Sequence, residues 1–167
     1  MPTNVIQLFE REQYSGSYEF TITHEPDEDF RKYLARKLRD VLPATTPRHS
    51  ADAASLDISL DDIEGDVVAG LSAVTVRNGL HIDMLWVDEP LRHNGIGHRL
   101  MQMAEEIAIR RGCTRASITV TGGVEFYVGQ GYMLTGTVQP LPALVGDGKV
   151  IAFAPRQAVY TLMKDLT

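Results

Sequence analysis

The chain carries a single cysteine, Cys113, so no internal disulfide can form. That suits a reducing compartment, and the cytoplasm is the expected location. Long apolar runs are missing too. No stretch approaches the roughly 18–20 residues needed to span a bilayer. Met1 to Glu10 has no basic segment followed by an apolar one, so neither a membrane span nor a secretory signal is expected. Positive charge is in the minority: 16 Lys and Arg stand against 22 Asp and Glu, a formal net charge of −6. Nonspecific nucleic-acid binding needs clustered cations to neutralise phosphates. The densest basic run, Arg31 to Arg39, has helical spacing and reads as the solvated face of a helix, so no nucleic-acid partner is expected. No His, Cys or Asp group has ligand spacing, and no metal site is expected.

What is present fits one ordinary domain. The 167 residues are 44% hydrophobic and 23% charged, enough to bury a real core. Residues 1–16 carry little pattern and are expected to form an N-terminal arm, with a single domain over residues 17–167. Ser17 to His24 alternates Tyr18, Phe20 and Ile22 on one face, a strand signal. Phe30, Leu34, Leu38 and Val41 recur at helical spacing between Asp29 and Leu42, with Pro43 beyond. Ala44 to Ala54 is a loop by composition. Leu56 to Leu60, Val67 to Val76 and Leu80 to Val87 then predict an antiparallel meander. Asn78-Gly79 is its second hairpin turn, because both residues tolerate positive φ. Leu100, Ala104, Ile107 and Ala108 form one helical stripe that Gly112 ends. A short strand at Ala116 to Val120, a short helix at Glu125 to Gln130, and strands at Tyr132 to Gln139 and Ala158 to Lys164 complete the chain. Pro140 to Pro155 is a connecting loop. The expected order is β-α-β-β-β-α-β-α-β-β, an α/β (α+β) fold with a mixed, mostly antiparallel sheet of six or seven strands flanked by helices.

The informative segment runs from Trp86 to Arg99. A strand ends at Val87 and a helix opens around Gly97, with Arg92-His93-Asn94-Gly95-Ile96-Gly97 between them. Glycines at 95 and 97 remove side chains where backbone amides can converge, and a helix N-terminus favours an anion. Arg92 adds positive charge. By itself this is either a diphosphate site or a structural loop with two convenient glycines. A Walker loop is excluded because no Gly-Lys-Ser/Thr follows. The dinucleotide fingerprint fails as well, since the preceding strand belongs to an antiparallel meander.

The stretch from Leu85 to Cys113 resembles the A motif of the GNAT acetyltransferase superfamily, Arg/Gln-x-x-Gly-x-Gly/Ala, which Arg92, Gly95 and Gly97 match. Downstream, Phe126-Tyr127-Val128-Gly129-Gln130-Gly131-Tyr132 is similar to the family's Phe-Tyr-x-x-x-Gly-Phe/Tyr motif, and the strand order agrees over most of the chain. Many relatives have Asn and Ala where this chain has Val120 and Gly123, so either a shorter second helix or a looser wall is expected around Thr121-Gly122-Gly123.

The resemblance implies an acetyl-CoA-dependent N-acetyltransferase acting on a primary amine by direct transfer. The alternative within the same fold is an acyl-CoA-binding regulatory module with little turnover. It further implies that amides from His93 to His98, including Asn94, Gly95, Ile96 and Gly97, hold the pyrophosphate of CoA. Trp86 and Val87 would pair through their backbone with the pantetheine arm, in a fork between that strand and Ala116 to Val120. A homodimer is compatible with the family. An alkylamine with pKa of about 10.4 costs roughly 4–5 kcal/mol to deprotonate at pH 7, so a general base is useful. His81 is placed for that role, with Asp83 on the same strand face; each has the alternative of an idle polar position. Tyr127 matches the family's general acid toward the departing thiolate, or is a packed aromatic. Cys113 and the methionines at 101 and 103 read as packing.

Overall fold

The computed structural model describes residues 4–9, 18–38, 51–139 and 157–166. Their centre is one eight-stranded sheet. The strands are β1 (Asn4–Phe9), β2 (Tyr18–Thr23), β3 (Ala53–Asp61), β4 (Val67–Val76), β5 (Gly79–Val87), β6 (Arg115–Val120), β7 (Met133–Val138) and β8 (Val159–Asp165). Three α-helices accompany them: α1 (Glu28–Lys37), α2 (Ile96–Arg110) and α3 (Val124–Gly129). The spatial order is β1-β2-β3-β4-β5-β6-β8-β7. Every neighbour is antiparallel except β5 and β6, which run parallel.

The architecture is the expected mixed, mostly antiparallel sheet with helices, and the strand beyond the expected count is β1. Asn4–Phe9 lies in the segment assigned to an arm, yet it pairs antiparallel with β2 at the sheet edge. Its register shifts between Val5 and Gln7. That irregularity breaks the period-2 pattern by which a strand is read from sequence. Val41 and the connection Pro140 to Pro155 fall outside the described residues.

The sheet separates two apolar layers. Phe20 and Ile22 of β2, Leu56, Ile58 and Leu60 of β3, and Leu80 and Ile82 of β5 join Leu100, Met101, Met103, Ala104 and Ile107 of α2 in the main core. Each such large side chain contributes on the order of 1.5–3 kcal/mol by leaving water. On the other face, Leu34 of α1 packs with Met84 and Trp86. Gly70 makes that approach feasible, because a Cβ there would stand 2.7 Å from Phe30 Cζ and 2.9 Å from Leu34 Cδ2. The α1 helix starts at Asp27, whose Oδ1 accepts from Phe30 N–H at 2.9 Å, a cap worth about 1 kcal/mol. It ends earlier than Leu42, at Lys37, because Leu38 is already extended (φ −86, ψ 129).

The β4–β5 hairpin also differs from expectation. Val76 pairs with Gly79, so the two turn residues are Arg77 and Asn78, and Arg77 carries the positive φ of 55. Asn78 instead ties the turn to the α2–β6 connection, donating from Nδ2 to Thr114 Oγ1 at 3.1 Å and accepting Thr114 N–H at 2.8 Å.

One irregularity in β5 organises everything downstream. Ser72 pairs with Met84 but Ala73 pairs with Ile82, leaving Asp83 as the extra residue of a bulge. A one-residue insertion moves every following side chain to the opposite face. Leu80 and Ile82 therefore face α2, whereas Met84 and Trp86 face α1, and Leu85 and Val87 return to the α2 side.

Candidate active site

The parallel ladder between β5 and β6 runs only from Gly79–Arg115 to Ile82–Ile118. Beyond that rung the strands part, and a cleft of about 430 Å³ opens at the fork. Leu85, Trp86 and Val87 form one wall, and Gly122, Gly123, Phe126 and Tyr127 form the other. The loop after β5 and the start of α2 supply the floor through Arg92, His93, Gly95, Ile96, Gly97 and His98.

The loop is shaped to present backbone donors. His93 (φ 64) and Gly95 (φ 79) are both left-handed. Gly95 caps α2 without any side-chain hydrogen bond to the helix. The first intrahelical bond there is Arg99 N–H to Gly95 O at 3.0 Å, so helix geometry leaves the amides of Ile96, Gly97 and His98 to face the cleft. Asn94, expected to act through its backbone amide, uses its side chain to brace the loop: Nδ2 donates to Leu91 O (3.0 Å) and Arg92 O (2.8 Å). Arg92 Nε donates to Val87 O at 2.9 Å. That guanidinium fastens the loop to the strand end and occupies a carbonyl expected for the pantetheine arm.

Tyr127 enters from α3. The α3 helix has six residues, Val124–Gly129, and its N-cap Gly123 is left-handed (φ 69). Tyr127 is 8% exposed, and burial raises its hydroxyl pKa to about 12. Its ring stands edge-on to Phe126 (centroids 5.0 Å apart) and to Tyr132 (6.3 Å). Behind it, Tyr132 donates to Glu105 Oε1 at 3.0 Å, and Lys164 Nζ lies 2.7 Å from Glu105 Oε2. This network fixes the end of α3 against α2 and β8.

The family model of the acetyltransferase (GNAT) family matches residues 11–132. The chain belongs to this family. It is 33% identical to the acetyltransferase Atu2258 of Agrobacterium fabrum over 93 residues, 54% of this chain and 68% of that protein. An acetyltransferase structure from Bacillus cereus ATCC 14579 superposes with a TM-score of 0.58 at 25% identity, covering 82% of this chain and 86% of that one. The ribosomal-protein-S18-alanine N-acetyltransferase of Escherichia coli shares the fold alone, with a TM-score of 0.61 at 13% identity over 89% and 94% of the two chains. As a GNAT member the chain is an acyltransferase, and the family uses acyl-CoA with an acceptor. No helix among the described residues is long and apolar enough to cross a membrane.

The GNAT cleft suits a CoA thioester on its own geometry. An uncapped helix N-terminus opens into it. Gly97 has no side chain where a Cβ would stand 3.2 Å from Phe126 Cζ. Apolar Leu85, Trp86 and Val87 line the deeper fork, where a pantetheine arm would lie. Two contributors escaped the sequence reading. Phe126 roofs the Gly97 position, and Gln130 Oε1 hydrogen-bonds His98 Nδ1, clasping α3 to the start of α2. Both lie in the quoted motifs, but only the folded chain shows that α3 crosses over the loop between β5 and α2.

His81 and Asp83 are on the α1 side of the sheet, as alternation predicts, but outside the cleft that holds Tyr127. His81 Nδ1 meets Ser117 Oγ at 2.8 Å, and its Nε2 lies over Gly79, 3.0 Å from where a Cβ would stand. The ring thus turns back toward the start of β5, in a separate depression with Arg77 and Arg115. Asp83 Oδ2 lies 3.9 Å from Arg31 Nη2 of α1. Half-burial of His81 lowers its pKa below 6.5 by desolvation. Well above pH 6.5 the ring is neutral in both folded and unfolded chains. As pH falls below that value the unfolded chain takes up a proton that the folded ring resists, so stability is lost on acidification. His24, lowered by desolvation and by Arg111, acts in the same direction. His81→Gln is therefore expected to flatten the fall in Tm between pH 7.5 and 5.5, measured against wild type by thermal unfolding. Parallel curves would contradict it.

Proposed function

We propose that the chain transfers an acetyl group from acetyl-CoA directly to a primary amine, both substrates being bound together. The observation that carries this reading is a single cleft joining the uncapped start of α2, the splayed end of β5 and the buried Tyr127 hydroxyl. Acetyl-CoA supplies the activated acyl carbon and a thiolate leaving group. The amides of Ile96, Gly97 and His98 hold its diphosphate, assisted by the helix dipole. Backbone groups of Leu85 to Val87 on the β6 side hold the pantetheine arm and offer a donor to the developing oxyanion. Tyr127, kept protonated by burial, donates to the departing sulfur. His81 and Asp83 face the α1 side, from which an acceptor reaches the fork. His81 is the base and acts only through a chain of waters, because its ring lies in the neighbouring depression and not in the cleft; its lowered pKa keeps it neutral at pH 7.

Thermal unfolding with and without acetyl-CoA, with ATP and NAD as controls, tests the cofactor. Saturation at 100 times Kd adds about 2.7 kcal/mol of stability, a rise of roughly 5–10 °C for a chain of this size. A rise specific to acetyl-CoA is expected; none with any acyl-CoA would overturn the reading. Binding without release of CoA thiol across a panel of amines would favour an acyl-CoA-binding module instead.

A further inference from the structure

The last turn of α1 places an exposed primary amine behind one wall of the cleft. Lys37 Nζ lies 5.3 Å from the ring centroid of Trp86 and 5.3 Å from that of Tyr33. The two rings meet edge-on, with centroids 6.0 Å apart and an interplanar angle of 80°. Trp86 and the residue after the lysine, Leu38, both line the cleft that holds Tyr127. Lys37 therefore sits on the back of the wall that the thioester must pass. Lys164 is committed elsewhere, 2.7 Å from Glu105 Oε2.

We propose that Lys37 is an internal acceptor: the chain acetylates its own Lys37 Nζ. The proposal rests on the acetyl-transfer reading of the cleft. Lys37 loses one proton to water, and its lone pair forms an amide bond to the thioester carbonyl carbon. The carbon–sulfur bond breaks with its electron pair on sulfur, which takes the Tyr127 proton. The second proton of the attacking nitrogen restores Tyr127 through solvent. The products are an N-acetyl-lysine, free CoA thiol and one proton released to water. Because nucleophile and cleft belong to one chain, the step is unimolecular once acetyl-CoA is bound, and proximity replaces a second encounter. Acetylation removes the charge that now rests over Tyr33 and Trp86, so the end of α1 loses its cation–π attachment.

The test is to incubate the full chain with acetyl-CoA, follow intact mass, and locate the acetyl group by peptide mapping. One acetyl group on Lys37 is expected, at a rate independent of protein concentration. Tyr127→Phe should slow it by about 10²-fold. Lys37→Arg keeps a cation over the rings and removes only the nucleophile; it should abolish incorporation while the thermal shift with acetyl-CoA persists. Three results would overturn the proposal: an unmodified Lys37 in a chain that binds acetyl-CoA, a rate rising with protein concentration, or acetyl groups spread over Lys32, Lys149 and Lys164 as in the urea-unfolded chain. Absence of any acetyl-CoA thermal shift would instead remove the functional reading itself.

Discussion

Gly97→Leu is expected to abolish the thermal stabilisation by acetyl-CoA while leaving the unliganded protein folded. A Cβ at Gly97 would stand 3.2 Å from Phe126 Cζ, 3.5 Å from Phe126 Cε2 and 3.9 Å from Val87 Cγ2. Both neighbours line the cleft. Phe126 is 37% exposed, so its ring can swing outward and the fold need not break. Leucine is also a better helix former than glycine by up to about 1 kcal/mol, which works against any loss of unliganded stability. The leucine and the displaced ring would then fill the space over the first-turn amides of α2. An affinity loss of at least about 100-fold is expected, equivalent to roughly 2.7 kcal/mol. Gly97→Ala is the control: its Cβ asks Phe126 to shift by only a few tenths of an ångström, so most of the stabilisation should remain. Titrating acetyl-CoA in thermal unfolding reads both variants. An undiminished shift in Gly97→Leu would mean that the ligand does not lie over this turn.

What the sequence revealed and what it hid follow one physical division. Patterns with a local period were legible. The alternation in β3 and in the first half of β5 marks a sheet with a buried face, and the stripe Leu100, Ala104, Ile107 and Ala108 marks the buried side of α2. The loop before α2 was legible because its missing side chains and the positive φ at Gly95 are written directly as glycine, whereas the positive φ of His93 was not. Asn78-Gly79 misled for a related reason. The pair signals a turn, but register is set by cross-strand packing, which puts the left-handed residue at Arg77. The non-local features stayed hidden. The bulge at Asp83 follows an alternating run from Leu80 to Met84 that gives no sign of it, yet it turns Met84 and Trp86 to the α1 face. The fork exists because β5 and β6 stop pairing after Ile82 and Ile118, and it became an expectation only through resemblance to a family. The orientation of His81 depends on Ser117, 36 positions away, which no short pattern can show.

Tyr127→Phe should lower kcat by about 10²-fold with little change in acetyl-CoA binding, the usual contribution of a positioned general acid. The substitution removes one oxygen and keeps the ring. Its edge-on contacts with Phe126 and Tyr132 survive, so a change in rate reports the hydroxyl and not the packing. Burial holds that hydroxyl at a pKa of about 12. A donor must be protonated, and this one is so throughout the working range; the wild-type rate should therefore show no alkaline fall from Tyr127 up to about pH 10. Loss of the proton would leave the thiolate to depart unassisted, a penalty of about 2.7 kcal/mol for a 10²-fold effect. A thioester with a more acidic leaving thiol needs less help from an acid, so the gap between wild type and variant should narrow with it. Single-turnover rates with the two donors measure that gap. Equal rates for wild type and Tyr127→Phe, with acetyl-CoA bound in both, would make Tyr127 a packing residue and leave water to protonate the thiolate.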